Sequence, residues 1–415
     1  SVLRNLWGIA SYNERVDFTR NSGNNRKTNG KSGERKKIMT GIHVKKEYKK
    51  WMFLFAYGIY LISAVLYDTD YKVMDLTKNL FPIVRFLAYG LVCAKIILDF
   101  LEKEYSLKEL GLITAVGILL LISAVVSKNK NPLIFWVFIV SAHDVDFQEI
   151  IKWSLWVHIA ALIFVIGSCY AGILENQIFV QGPTRIREGL GFDYTTGSAH
   201  YFFYMILCWV YWRKEKNTWK ELAVMTAVSA YLFVKTDTKN AFGMGMLAII
   251  GAIILKYVPY LRDYKKIYSF IAVGIAPLVS IGMVFLSIRY DESVEWMKWC
   301  NKLINGRLAL GRMGYVNYGA HPFGQYISWN EGAYHYVDSS YMQIFLSLGL
   351  VISILVLIGL VTVGIFVAIR KDTYFLLVYA LFIIHGSFDP QLIWIGHNSF
   401  LMFYSYLKNG KRNTP

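Results

Sequence analysis

The chain has 415 residues, of which 55% are apolar, 16% aromatic and 17% charged, with a mean hydropathy of +0.38. Soluble domains carry roughly 25% charged residues and about 45–50% apolar ones. The formal net charge of +16 raises nucleic acid as a partner, but the Lys and Arg residues stand in a polar N-terminal tail and in short segments between apolar blocks. That is where topology determinants stand, so a soluble fold and a nucleic-acid partner are both set aside.

Residues 1–43 are rich in Asn, Gly, Lys and Arg and contain no apolar run, so a disordered basic tail is expected there. The chain begins with Ser, and Met39 is a candidate native start ahead of Lys45, Lys46, Lys49 and Lys50. Residues 44–412 then read as one multi-span membrane domain. Its apolar blocks are 51–67, 81–101, 109–126, 132–142, 151–173, 195–212, 219–234, 241–258, 267–288, 340–369, 374–385 and 392–407. Blocks of about 18 or more apolar residues read as transmembrane helices, so the expected fold is an all-α polytopic membrane protein of about twelve spans. The fourth block is short and the tenth unusually long.

Lys and Arg bias orients the spans. Lys45 to Lys50, Arg213/Lys214/Lys216, Arg262/Lys265/Lys266, Arg370/Lys371 and Lys408/Lys411/Arg412 fall on one side, which is taken as cytoplasmic and holds both termini. The outer side then receives 174–194 with Arg185 and Arg187, the connector "KTDTKN" with Lys235 and Lys239, and one large loop, 289–339. Loops of that length are uncommon and usually functional or disordered. Within it, "DESVEWMKWCNKLINGR" predicts an amphipathic helix with Trp296 and Trp299 at headgroup depth. A helix packed on other outer loops is the alternative.

From Gly306 the loop reads Gly-x-x-x-x-Gly-Arg-Met, close to a phosphate loop. A nucleotide site needs a preceding strand, a Lys on the phosphates and a Ser or Thr on magnesium. Here Arg312 and Met313 replace the last two and no strand precedes, so the ATP reading fails. What remains is Arg307 and Arg312 beside Gly306 and Gly311, which allow backbone turns. Arg meets phosphate oxygens as a bidentate fork. With Arg185, Arg187, Lys235 and Lys239, the outer face therefore offers a cationic set suited to a lipid headgroup or a pyrophosphate. Each single Arg also has a plain reading, as a side chain snorkelling to the headgroups.

Acid–base candidates on that side are His321, Asp338, His385, Asp389 and His397, the last followed by Asn398. A lone His at a span end is more often a hydrogen-bonded interface residue than a base. No His, Asp, Glu or Cys spacing indicates a metal site, and Cys93, Cys169, Cys208 and Cys300 are too scattered for a disulfide framework. Acidic residues are scarce near span centres, Arg85 and Lys95 read as snorkelling structural cations, and no inverted repeat stands out, so transport is disfavoured.

The ordered series "VSAHDVDFQEIIKW", "RIREGLGFDYTTGSAHYFFY", "TDTKNAF", "NKLINGRLALG" with "FGQ", "VDSSYMQIFLSLGL" and "HGSFDPQLIWIGHNSFLMF" resembles the Wzy-type polysaccharide repeat-unit polymerases, relatives of the O-antigen ligases, in the form found in Gram-positive capsule clusters. The resemblance covers about residues 45–407. It implies a GT-C-type inverting glycosyltransferase in the bacterial cytoplasmic membrane, working at its outer face without cofactor or metal. The donor would be a glycan on undecaprenyl pyrophosphate and the acceptor another lipid-linked repeat unit, with a flippase and a chain-length regulator as partners. Arg187 and Arg307 are the first choices for the pyrophosphate, then Arg185, Arg312 and Lys239, where relatives often carry Arg. Asp338 or His321 would be the general base. Tyr341, His385, His397 and Asn398 are further substrate contacts, as is Asp389, where relatives often carry Glu. An O-antigen-ligase-like transferase and a lipid-linked oligosaccharide flippase are the competing readings.

Overall fold

The computed structural model describes residues 28–181, 185–329 and 336–409. The chain divides into two units, Ser1–Tyr48 and Lys49–Pro415. Of the first, residues 28–48 are helical and belong to α1 (Thr28–Tyr67); the rest of the expected basic tail lies outside the described residues. In the second unit α1 is followed by α2 (Leu80–Leu101), α3 (Leu107–Ser127), α4 (Asn131–Ser141), α5 (Phe147–Tyr170), α6 (Gly197–Arg213), α7 (Trp219–Thr236), α8 (Lys239–Tyr257) and α9 (Lys266–Arg289). Then come α10 (Glu295–Leu303), α11 (Arg307–Tyr318), α12 (Leu350–Arg370), α13 (Thr373–His385) and the short α14 (Phe403–Asn409).

Local chemistry fixes many of these starts. Ser106 with Glu109 and Thr218 with Glu221 form reciprocal capping boxes at α3 and α7. Asp146 accepts the first free amides of α5, from Gln148 and Glu149. Each cap satisfies amides that a helix start leaves without partners.

Among the described residues, seven helices are long and apolar enough to cross a bilayer: Lys46–Tyr67 of α1, and α2, α3, α5, α8, α9 and α12. The protein is a multi-pass helical membrane protein. The other apolar blocks differ from the expected spans for a physical reason. α6 is 17 residues long and buried almost throughout, from Ser198 to Cys208 without a break. α13 has 13 residues, ten of them buried. These helices are apolar because protein surrounds them, not because lipid does. The last block, 392–407, is no single helix: it holds the turns Pro390–Ile393 and Ser399–Leu401 before α14. The expected tenth span divides at Gly349, where a π-turn over Ile344–Leu348 ends and α12 begins.

That division is built from backbone packed on backbone. Gly349 has φ +94° and Gly324 has φ +84°. A Cβ on Gly349 would lie 2.2 Å from the Gly324 nitrogen, and one on Gly324 2.1 Å from the Ser347 carbonyl oxygen. Only glycine allows both the conformation and the approach. The amides of Gln325, Leu350 and Val351 then donate to the carbonyls of Ser347, His321 and Pro322. The outer segment "HPFGQ" is thereby laced to the start of α12.

Two further expectations change. Lys95 does not snorkel: it is fully buried, 2.8 Å from Asp99 Oδ2, and also bonded to Asp144 and the Ser141 carbonyl. Lys49 reaches the same Asp99 at 2.8 Å. Gly311 makes no turn; it lies within α11, where a Cβ would meet Ser287 Oγ at 2.6 Å, so it permits close packing on α9. The all-α expectation also gains one exception, an antiparallel hairpin of β1 (Ile178–Gln181) and β2 (Arg185–Glu188).

Candidate functional site

The segments expected on the outer side converge. A cavity of about 1020 Å³ lies at one end of the bundle, where α1, α7 and α13 finish and α6, α8 and α11 begin. Its walls take Arg185 and Arg187 from the hairpin, Lys239 from the head of α8, and Arg307 from the head of α11. Asp338, Asp389 and His397 complete the predicted residues that line it.

The hairpin sets the two arginines on one face, since alternate strand residues point the same way. Ile186 between them points outward and is exposed. Arg187 is 6% exposed, donates from Nε to the Thr236 carbonyl at 2.8 Å, and lies 5.8 Å from the Tyr194 ring centre. Arg185 pairs with Asp237. Lys235 holds the hairpin to α7 through Glu188, at 2.9 Å.

Arg307 is held from three directions. Its Nε donates to the Phe388 carbonyl at 3.0 Å, and Nη1 reaches the Asn305 carbonyl at 3.2 Å and Asp338 Oδ2 at 3.1 Å. Burial pushes the Asp338 carboxyl up to about 6; Arg307 pulls against this and Asp389 adds to it. Burial also pushes Asp389 up, but the charge of His200 and its hydrogen bond, with His385 and Arg307 beside it, hold that carboxyl well below the usual range. His200 Nε2 stands 3.4 Å from Asp389 Oδ1.

Charge accounting separates the cations. Asp237 neutralises Arg185, Asp338 neutralises Arg307, and Lys72 takes the lining Asp193. Asp68, also in the wall, accepts the Tyr201 hydroxyl at 2.8 Å. Arg187 and Lys239 have no carboxylate partner among the described residues, so they are the cations available to an anion from outside.

The other predicted residues are held by contacts of their own, and of these His397 alone lines the cavity. Arg312 donates to the Ile288 carbonyl at 2.6 Å, His321 is exposed beside the Tyr318 carbonyl, and neither lines the cavity. Tyr341 is buried with its hydroxyl on the Ile383 carbonyl at 2.6 Å. Asn398 is spent on a turn, donating to the Leu392 carbonyl and accepting from Phe400. His385 lies fully buried behind Asp389, at 3.7 Å. His397 stacks on Tyr201 at 3.9 Å between ring centres, with one side on the cavity.

Sequence reasoning passed over Asp68, His200, Gln391 and Trp394, all in the wall. His200 stood inside a motif but at the head of a helix that looked like an ordinary span. Only its meeting with Asp389, 189 positions on, gives it meaning. Searches against family models, curated proteins and solved structures find no match to this chain.

Proposed function

We propose that this protein joins oligosaccharide repeat units carried on undecaprenyl pyrophosphate, a GT-C-type inverting glycosyl transfer at the outer face of a bacterial cytoplasmic membrane. The observation that carries this reading is the convergence of Arg185, Arg187, Lys239 and Arg307 with Asp338 and Asp389 on one cavity. The resemblance to repeat-unit polymerases points the same way, and the Lys and Arg bias adds that both termini are cytoplasmic.

The chemistry follows from the charges. An acceptor hydroxyl attacks the anomeric carbon, the bond from that carbon to the pyrophosphate oxygen breaks, and the electron pair leaves with the lipid pyrophosphate. Arg187 and Lys239, which have no carboxylate partner among the described residues, take that developing charge, the task of fixed donors in a site of this kind. Arg307 supports them while orienting Asp338. The Asp338 carboxylate accepts the hydroxyl proton. His321, exposed and outside the cavity, is the weaker candidate for this step.

Purified protein in lipid nanodiscs, given a lipid-pyrophosphate-linked repeat unit, is expected to make a ladder of longer glycans and to release free lipid pyrophosphate in equal amount. Neither ladder nor release would sink the reading. Release with transfer to a different acceptor would favour the ligase class, and movement of intact lipid-linked units across the bilayer would favour the flippase.

A further inference from the structure

His200, His385 and Asp389 come from the head of α6, the last residue of α13 and the loop after it. Each can offer one ligand atom within 4.8 Å of the other two. His200 Nε2 and Asp389 Oδ1 are 3.4 Å apart; His385 Nδ1 and Asp389 Oδ2 are 3.7 Å apart. A tetrahedral site with bonds of about 2.0–2.1 Å has edges of roughly 3.3 Å. Those two separations are therefore within a few tenths of an ångström of a coordination sphere.

The polar atoms are also left over. His385 is fully buried with neither ring nitrogen in a close hydrogen bond, and His200 Nε2 and Asp389 Oδ2 have long contacts within the cluster, to Asp389 Oδ1 at 3.4 Å and His385 Nδ1 at 3.7 Å. Elsewhere in the same bundle a buried histidine is satisfied: His158 meets the carbonyls of Ser154 and Gly396 through its two nitrogens. Buried polar groups without partners call for an explanation, and an ion is one. His200 Nδ1 lies 2.8 Å from the Gln391 amide nitrogen; that amide turned over, so that its oxygen accepts from Nδ1–H, gives the outer support that metal-bound imidazoles use. With the amide oxygen turned to Nδ1–H, the Nε2 lone pair faces Asp389.

We propose that His200, His385 and Asp389 bind one divalent transition-metal cation, leaving a coordination position open to the cavity. Two imidazoles and a carboxylate suit Zn²⁺ or Fe²⁺ better than the hard, oxygen-seeking Mg²⁺ or Ca²⁺. Three protein ligands with a free position is the arrangement of metal sites that meet a substrate. His200 and Asp389 stand in the cavity wall, so that position faces the bound molecule, while His385 closes the site from behind. The sequence leads to an expectation of no metal, because His200 lies far from His385 and Asp389 in the chain; this site departs from that expectation and stands on geometry independent of the glycosyl-transfer reading.

The test uses full-length protein without a polyhistidine tag, stripped with a chelator and titrated with Co²⁺, then with Zn²⁺ in competition. One Co²⁺ per chain with the visible spectrum of a four- or five-coordinate site, displaced by Zn²⁺, is expected. His385→Gln and Asp389→Asn should weaken binding at least tenfold while eluting as wild type on size exclusion, and His321→Ala should bind as wild type. Wild-type protein that takes up no Co²⁺ overturns the proposal, as does unchanged binding in a folded His385→Gln. Glycan synthesis is not read in this experiment, so its failure leaves the glycosyl-transfer reading where it stood.

Discussion

Arg307 and Asp338 face each other at 3.1 Å across the cavity wall, one at the head of α11 and the other just before the π-turn that precedes α12. The pair couples a cation to a carboxyl whose ordinary value burial has raised. Two consequences follow for activity, and each has its own sign.

The first concerns pH. A general base works only when deprotonated, so with Asp338 at about 6 activity should climb from pH 5 to pH 7 and then level. Asp338→Asn should lower the rate about 10²–10⁴-fold, the usual worth of a positioned base, and abolish that acidic limb. A limb that persists unchanged in the variant assigns it to another group.

The second concerns the cations. Arg187→Ala and Lys239→Ala remove the two cavity charges that no carboxylate among the described residues neutralises, and each should reduce polymer formation by about 10²–10³-fold, as loss of a fixed oxyanion donor does. Arg312→Ala, outside the cavity, should leave the rate within about threefold. Polymer length on immunoblots, normalised to protein level, decides the ranking; equal loss in all three variants would argue against it.

Gly349→Ala and Gly324→Ala should each destabilise the fold by about 2–4 kcal/mol, because strained φ and a backbone clash coincide. Detergent-solubilised variants are expected to melt several degrees lower. Gly306→Ala has the left-handed φ without the clash, so its penalty should be about 1 kcal/mol.

Helix α10 exposes Trp296, Trp299 and Leu303 on one face, at 53%, 64% and 65%. Rings so presented fit the headgroup layer. A nitroxide at position 299 should be reached by oxygen and shielded from a water-soluble nickel reagent. The reverse accessibility would place the helix in water or against another partner.

The spans and the site differed in how far sequence reached them. Long blocks such as 267–288 were legible because lipid imposes length and apolarity together. α6 and α13 are shorter than those blocks and owe their apolarity to burial inside protein, which writes the same composition as lipid does. Arg187, Lys239, Arg307, Asp338 and Asp389 could be singled out because charges on one side of a membrane domain are few. His200 could not, because a pairing across 189 positions leaves no periodicity. Gly324 and Gly349 carried no spacing signal either, although "FGQ" and "VDSSYMQIFLSLGL" contain them.

The buried pair Lys95 and Asp99 has a consequence for biogenesis. Standing i and i+4 on α2, the two can enter the bilayer already bonded to each other. Their outside partners are Lys49 on α1 and Asp144 after α4. The charge set is therefore complete only once the ribosome has delivered residue 144, and the first four helices are expected to commit together as an early assembly unit. Truncation before Asp144 should leave Lys95 with one of its two carboxylate partners and hand the nascent chain to membrane quality control, whereas truncation after α5 should not.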